Sequence, residues 1–147
     1  MTAVICYNAR GFVLPPMIIF PLKTLPNCIT EFVINNEIWA SGSDNGWITQ
    51  DIFRSYCMKF IEVIKQKRKS LQKENAPCAL LLDGNNSRKV PEALKQLAEN
   101  NIDVYVFPTH CTHLMQPYGI KLAKPFKEKI TQICRKEMTD TNVEMIK

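Results

Sequence analysis

No apolar run in the sequence approaches the roughly 18 residues that a membrane-crossing helix needs, which excludes a transmembrane segment. The six cysteines (Cys6, Cys28, Cys57, Cys78, Cys111 and Cys134) include no close CxxC pair, and nothing supports the extracellular setting of a disulfide framework. They are read as reduced thiols packed as small hydrophobes, which places the chain in the cytoplasm or nucleus. No GxxxxGK loop is present to cradle a nucleotide phosphate. Met1–Tyr7 lacks the basic flank of a secretory signal, so secretion is not expected. Internal repeats and low-complexity segments are absent as well. What remains is a chain of 147 residues, 46% hydrophobic and 22% charged, the size and composition of one domain with one core. Its net charge of +5 makes a polyanionic partner plausible without demanding one. Two basic clusters stand out: Lys65, Lys67, Arg68, Lys69 and Lys73, then Lys121, Lys124, Lys127, Lys129, Arg135 and Lys136.

The most informative stretch is Cys78-Ala79-Leu80-Leu81-Leu82-Asp83-Gly84. It is too short for a typical helix and does not alternate, so it reads as a buried strand covered on both faces. Such a strand would deliver Asp83 to the carboxyl edge of the sheet, where ligands collect in α/β folds. Asp83 has two open readings, a functional acid or a cap of the Asp-Gly turn.

The rest of the chain sets that strand in a mixed sheet. Thr2–Tyr7, the turn Asn8-Ala9-Arg10-Gly11 and the run Phe12–Phe20 form a predicted hairpin. Pro15 and Pro16 remove two ladder donors, so the second strand lies at an edge or begins at Met17. From Pro21 to Gly46 no period is sustained, and a long loop with a short strand at Phe32–Ile34 is expected. Thr49 caps a helix to about Lys67 whose buried face is Ile52, Phe53, Tyr56, Phe60, Ile61 and Ile64. A second helix starts at Pro91 with Leu94, Leu97 and Ala98 inward and stops at Asn100-Asn101. The strand Ile102–Phe107 follows, and a last helix is expected from about Ile120 to Met138. Strand, helix and strand in this order predict a parallel pair joined by a crossover.

His110-Cys111-Thr112-His113 suggests a metal cluster, but structural zinc wants four ligands and usually two separated pairs, so no zinc is expected. The other candidate is Asp83 as a ligand of a hard divalent ion. Phosphoryl transfer with two such ions takes several carboxylates, and Asp83 alone is not enough.

Several motifs together resemble the catalytic domain of pogo/Tigger-type transposases, whose DDE nuclease domains also survive in Jerky-like domesticated genes. They are Asn45-Gly46-Trp47-Ile48-Thr49, Leu81-Leu82-Asp83-Gly84, Phe107-Pro108-Thr109-His110-Cys111-Thr112-His113-Leu114-Met115-Gln116-Pro117, and Pro125-Phe126-Lys127. Ala9-Arg10-Gly11 and Leu14-Pro15-Pro16 fit the family's hairpin, so the resemblance covers nearly the whole chain to about Lys136.

The resemblance implies an α/β, RNase H-like mixed sheet flanked by helices, here lacking its first strand, over residues 1–138, with a polar tail at 139–147. It implies that Asp83 is the second acid of a triad. The third-acid position is Gly119, and the first acid would lie upstream of Met1. The family's usual Asp-Gly-His and nearby second His are replaced by Asn85 and Arg88. Glu128 does not substitute for the third acid, being roughly 13 Å further along a helix. Mg²⁺ or Mn²⁺ is the implied cofactor, not bound productively, and a transposase-derived domain inactive as a nuclease is the expected outcome. DNA is the implied partner, held by Lys121, Lys124 and Lys127. The alternative is a protein-interaction module using an exposed sheet edge and the Pro21–Gly46 stretch.

Overall fold

The computed structural model describes residues 1–108 and, beyond them, residues 124, 125, 127–129, 131, 132 and 135. The chain divides into two compact units, Met1–Tyr105 and Val106–Lys147. In the first unit the expected hairpin is present: β1 (Thr2–Val4) runs antiparallel to β2 (Met17–Phe20), with Thr2 opposite Ile19 and Val4 opposite Met17. Its tip is held by the Asn8 side chain, whose Oδ1 accepts the N–H groups of Arg10 and Phe12. Gly11 supplies the positive φ, +82°, that this turn requires. β2 begins directly after Pro15-Pro16, as the missing donors dictate, and the Pro16 carbonyl still accepts from Trp39 N–H at 2.9 Å.

The Pro21–Gly46 stretch is not the expected loop with a strand at Phe32–Ile34. Those residues belong to α1 (Asn27–Asn35), and the strand lies beyond them as β3 (Trp39–Gly42). The β-branched Ile29, Thr30, Val33 and Ile34 favour extended structure and hide the helix. Tertiary context supplies what propensity does not: Val33 is buried, and α1 crosses over so that β3 can pair parallel to β2, with Met17 opposite Trp39 and Phe20 opposite Gly42. A Cβ at Gly42 would run into the Leu22 carbonyl, so glycine is what lets the chain pass there.

α2 (Gln50–Ser70) is the element on which the core is assembled. Thr49 caps it as expected, its Oγ1 accepting Ile52 N–H at 3.3 Å, and the helix runs on to Ser70. Ile52, Phe53, Tyr56, Phe60 and Ile61 are buried with Cys57, while Ile64 is only partly buried. Tyr56 meets the Trp39 ring edge-on, with centroids 5.6 Å apart. α2 ends where Gln72 turns left-handed at φ 53° and Lys73 N–H bonds back to the Arg68 carbonyl.

β4 (Cys78–Leu82), α3 (Pro91–Glu99) and β5 (Ile102–Val106) follow as expected. Cys78 N–H donates to the Asn101 carbonyl at 3.0 Å, so the two strands start side by side, the parallel arrangement that the crossover helix permits. Two expectations are corrected. β4 is not covered on both faces: Leu80 is 6% exposed but Leu81 is 56% exposed, because this two-stranded sheet packs one face onto the helices. On α3 the inward residues are Ala93 and Leu97, with Leu94 partly buried. Ala98 is exposed because one further residue rotates it about 100° off that face.

The mixed α/β class is observed, with the strands divided between a sheet ordered β1-β2-β3 and a sheet ordered β4-β5. β1 and β4 are not paired with each other. One cluster of buried side chains nevertheless joins both sheets, from Met17 and Ile19 through Phe53 and Phe60 to Leu80, Leu97 and Ile102.

Candidate functional site

β4 delivers Asp83 to its carboxyl end, as the sequence predicts. The chain then turns through Asn85, whose Oδ1 accepts both the N–H and the hydroxyl of Ser87. A single 3₁₀ turn, Asn86–Arg88, brings Arg88 back over the strand end. Its Nε donates to Asp83 Oδ1 at 3.1 Å, and its guanidinium carbon lies 5.3 Å from the centre of the Phe53 ring on α2. The Arg88 side chain is only 16% exposed and that of Asp83 33%. Asp83 is thus met by a fixed cation from within the same turn. Arg54 on α2 and Glu92 on α3 form an exposed pair at 3.4 Å, which contributes little.

Arg88 also faces the core. Burial pushes the Cys57 thiol up from 9.0 to about 12, and the Arg88 charge opposes that rise only in part. Burial likewise raises Cys6 and Cys78. These thiols stay protonated at neutral pH and are poor nucleophiles. Among the described residues, Cys6, Cys28, Cys57 and Cys78 are free thiols.

Among the described residues, no group of three or more His, Cys, Asp or Glu side chains could hold a metal ion. Among the described residues, Asp83 therefore has its guanidinium partner but belongs to no such group. Two-metal phosphoryl transfer takes several carboxylates, so the residues described at this strand end do not fit a two-metal site. His110–His113, Gly119, Lys121 and the 139–147 tail lie outside the described residues. Lys124 and Lys127 are helical and exposed, and their spacing of three puts them on one side of that helix.

The first basic cluster does not form one charged face. Arg68 is buried, 9% exposed, and its two terminal nitrogens donate to the carbonyls of Asn100 and Asn101 at 2.7 and 2.8 Å. Lys67 lies 4.8 Å over the Phe12 ring. Sequence reasoning misses the part that both arginines play. Arg68 is hidden in a basic run, and Arg88 stands out only as a departure from the family's pattern. The signal that could have found Arg88 is its spacing of five from Asp83 across a turn marked by Gly84 and Asn85.

With the fold and this strand end described, the comparisons with known proteins place the chain in a class. Residues 1–147 match the DDE superfamily endonuclease family, and the chain belongs to that family. Active members of it use a divalent metal. Over 120 residues the chain is also 28% identical to a Cochliobolus lunatus protein named MFS-type transporter clz9. That match covers 82% of this chain but 12% of that protein, so the transporter name describes a far longer molecule. Among the described residues, no helix is long and apolar enough to cross a membrane. No solved structure matches the chain.

Proposed function

We propose that the chain is a transposase-derived DDE domain of the pogo/Tigger type that binds DNA and does not cleave it. The observation carrying this reading is the pairing of Asp83, the family's second acid by resemblance, with Arg88, in the absence among the described residues of any group of three metal-ligating side chains. In-line displacement needs the attacking and leaving oxygens stabilised together, and an acid neutralised by a guanidinium is a poor start for that. Gly119, at the third-acid position by resemblance, supplies no ligand. DNA binding rests on Lys121, Lys124 and Lys127, of which the latter two are exposed on one helix. Such binding is electrostatic and independent of base sequence at these positions. Nucleus or cytoplasm is the proposed location.

Purified protein incubated with supercoiled DNA and Mg²⁺ or Mn²⁺ tests this reading. No nicking above that of an Asp83→Ala control is expected, together with retardation of the DNA that weakens with salt. Metal-dependent nicking that Asp83→Ala abolishes would overturn it.

A second reading, a protein-interaction module, is favoured by the apolar Leu81 and Tyr105, 56% and 58% exposed on β4 and β5. β1 and β4 also each have an edge that no strand covers among the described residues. Protein partners retained after nuclease treatment would support it.

A further inference from the structure

The family's metal and the residues at this strand end disagree, and the disagreement has a specific cause. We infer that the Arg88 guanidinium is the resident counter-cation of Asp83, built into the turn after β4, and that it keeps divalent cations off this carboxylate. The inference deepens the non-cleaving reading and rests on it for the identity of Asp83 as the family's acid.

Arg88 is held from several sides. Its backbone N–H bonds to the Asn85 carbonyl at 3.0 Å, fixing the turn, and the Asn85 side chain clamps Ser87 beside it. The guanidinium is stacked over Phe53 at 5.3 Å and hydrogen-bonded to Asp83 at 3.1 Å. An arginine that is 16% exposed and fixed by ring, turn and carboxylate is not a surface side chain sampling a neighbour. A divalent ion bound to either Asp83 oxygen at the usual distance of about 2.1 Å would sit within about 7 Å of that fixed charge. Like charges at that range lie within the Debye length at physiological salt and repel. Nor do the described residues place a group of three acidic, histidine or cysteine side chains around Asp83 to offset the repulsion. The strand end keeps its acid, but the acid is spent on a structural ion pair that ties the turn to α2.

Paramagnetic broadening by Mn²⁺ in amide NMR spectra detects even weak binding and does not depend on activity. In the native chain the Asp83 and Gly84 signals are expected to broaden no more than in Asp83→Asn. Arg88→Met keeps an apolar stem on Phe53 while removing the charge, and selective loss of the Gly84 signal at the same Mn²⁺ concentration is expected. Adding Asp83→Asn to that variant should restore the signal. Selective broadening at Gly84 in the native chain, abolished by Asp83→Asn, overturns the inference. So does a folded Arg88→Met that gains no broadening. Should Arg88→Met not fold, the comparison of the native chain with Asp83→Asn still decides. Mn²⁺ binding without nicking would refute this inference and leave the non-cleaving reading standing, whereas nicking would refute that reading directly.

Discussion

The two ends of β4 each carry an arginine drawn in from the surface, and the two do different work. At the amino end Arg68 reaches from the last turn of α2 to the carbonyls of Asn100 and Asn101, where α3 stops and β5 starts. At the carboxyl end Arg88 meets the carboxylate of Asp83. Arg68 bonds neutral backbone acceptors at and just past a helix terminus, sharing the Asn101 carbonyl with Cys78 N–H, and its positive charge suits the negative end of α3. Arg88 neutralises a formal charge at the place where α/β sheets usually present their chemistry. A guanidinium is thus structural at one end of the strand, and at the other it decides what the site can bind.

The largest effect that would sharpen this contrast is expected from Arg68→Met. It keeps the packed stem but leaves the Asn100 carbonyl without its guanidinium donor and the Asn101 carbonyl with Cys78 N–H alone, and should cost about 2 kcal/mol in urea unfolding. Arg68→Lys should recover only part of that, because one ammonium cannot reproduce the two-pronged fork. An Arg68→Met protein as stable as the parent would break the comparison.

Removing either member of the pair at the other end should cost less, about 1 kcal/mol, because Asp83 is a third exposed and water screens the pair. A double-mutant cycle of Asp83→Asn and Arg88→Met should show coupling of about the same size. Additive losses would mean that the two side chains are merely neighbours.

A pH titration links Arg88 to the core behind it. Cys57 ionises in the unfolded chain near 9.0 and in the folded protein only at about 12. The folded state therefore holds a proton that the unfolded state has lost. Its stabilising contribution is complete below pH 9.0 and disappears as the pH rises towards 12. Cys57→Ala should flatten that alkaline decline, and Arg88→Met should carry it to higher pH, since the opposing charge is gone. Equal alkaline slopes for the native and Cys57→Ala proteins, measured by thermal unfolding, would contradict this account.

The smallest effect on stability is expected at the exposed Lys124 and Lys127, where alanine should change unfolding by less than about 0.5 kcal/mol. The readout there is DNA binding. A lysine that neutralises one phosphate of duplex DNA contributes about 0.9 to the log-log salt slope, and its replacement by alanine should lower the slope by that amount. An unchanged slope would remove these lysines from the interface.

Legibility followed the range of the interactions. The hairpin, the Thr49 cap, the α2 stripe and the β4-α3-β5 run were readable because each rests on local rules: turn chemistry, capping and periodicity. α1 and β3 were not, because Ile29, Thr30, Val33 and Ile34 favour extended structure and only the crossover to a parallel partner of β2 makes a helix there worthwhile. At the candidate site, Asp83 and its placement at a strand end were legible, and so was the chain's membership of the family. The direction of the Arg88 side chain was not, since it depends on Phe53, far away in sequence.

The sequence by itself determined the class of fold, the order of most elements and the position of the acid, because these follow from patterns a few residues long. Only the tertiary structure decided that one arginine of a basic run turns inward to close α3 and that another neutralises Asp83. Both outcomes need α2 laid against the β4-α3-β5 unit, and no local pattern in the chain encodes that packing.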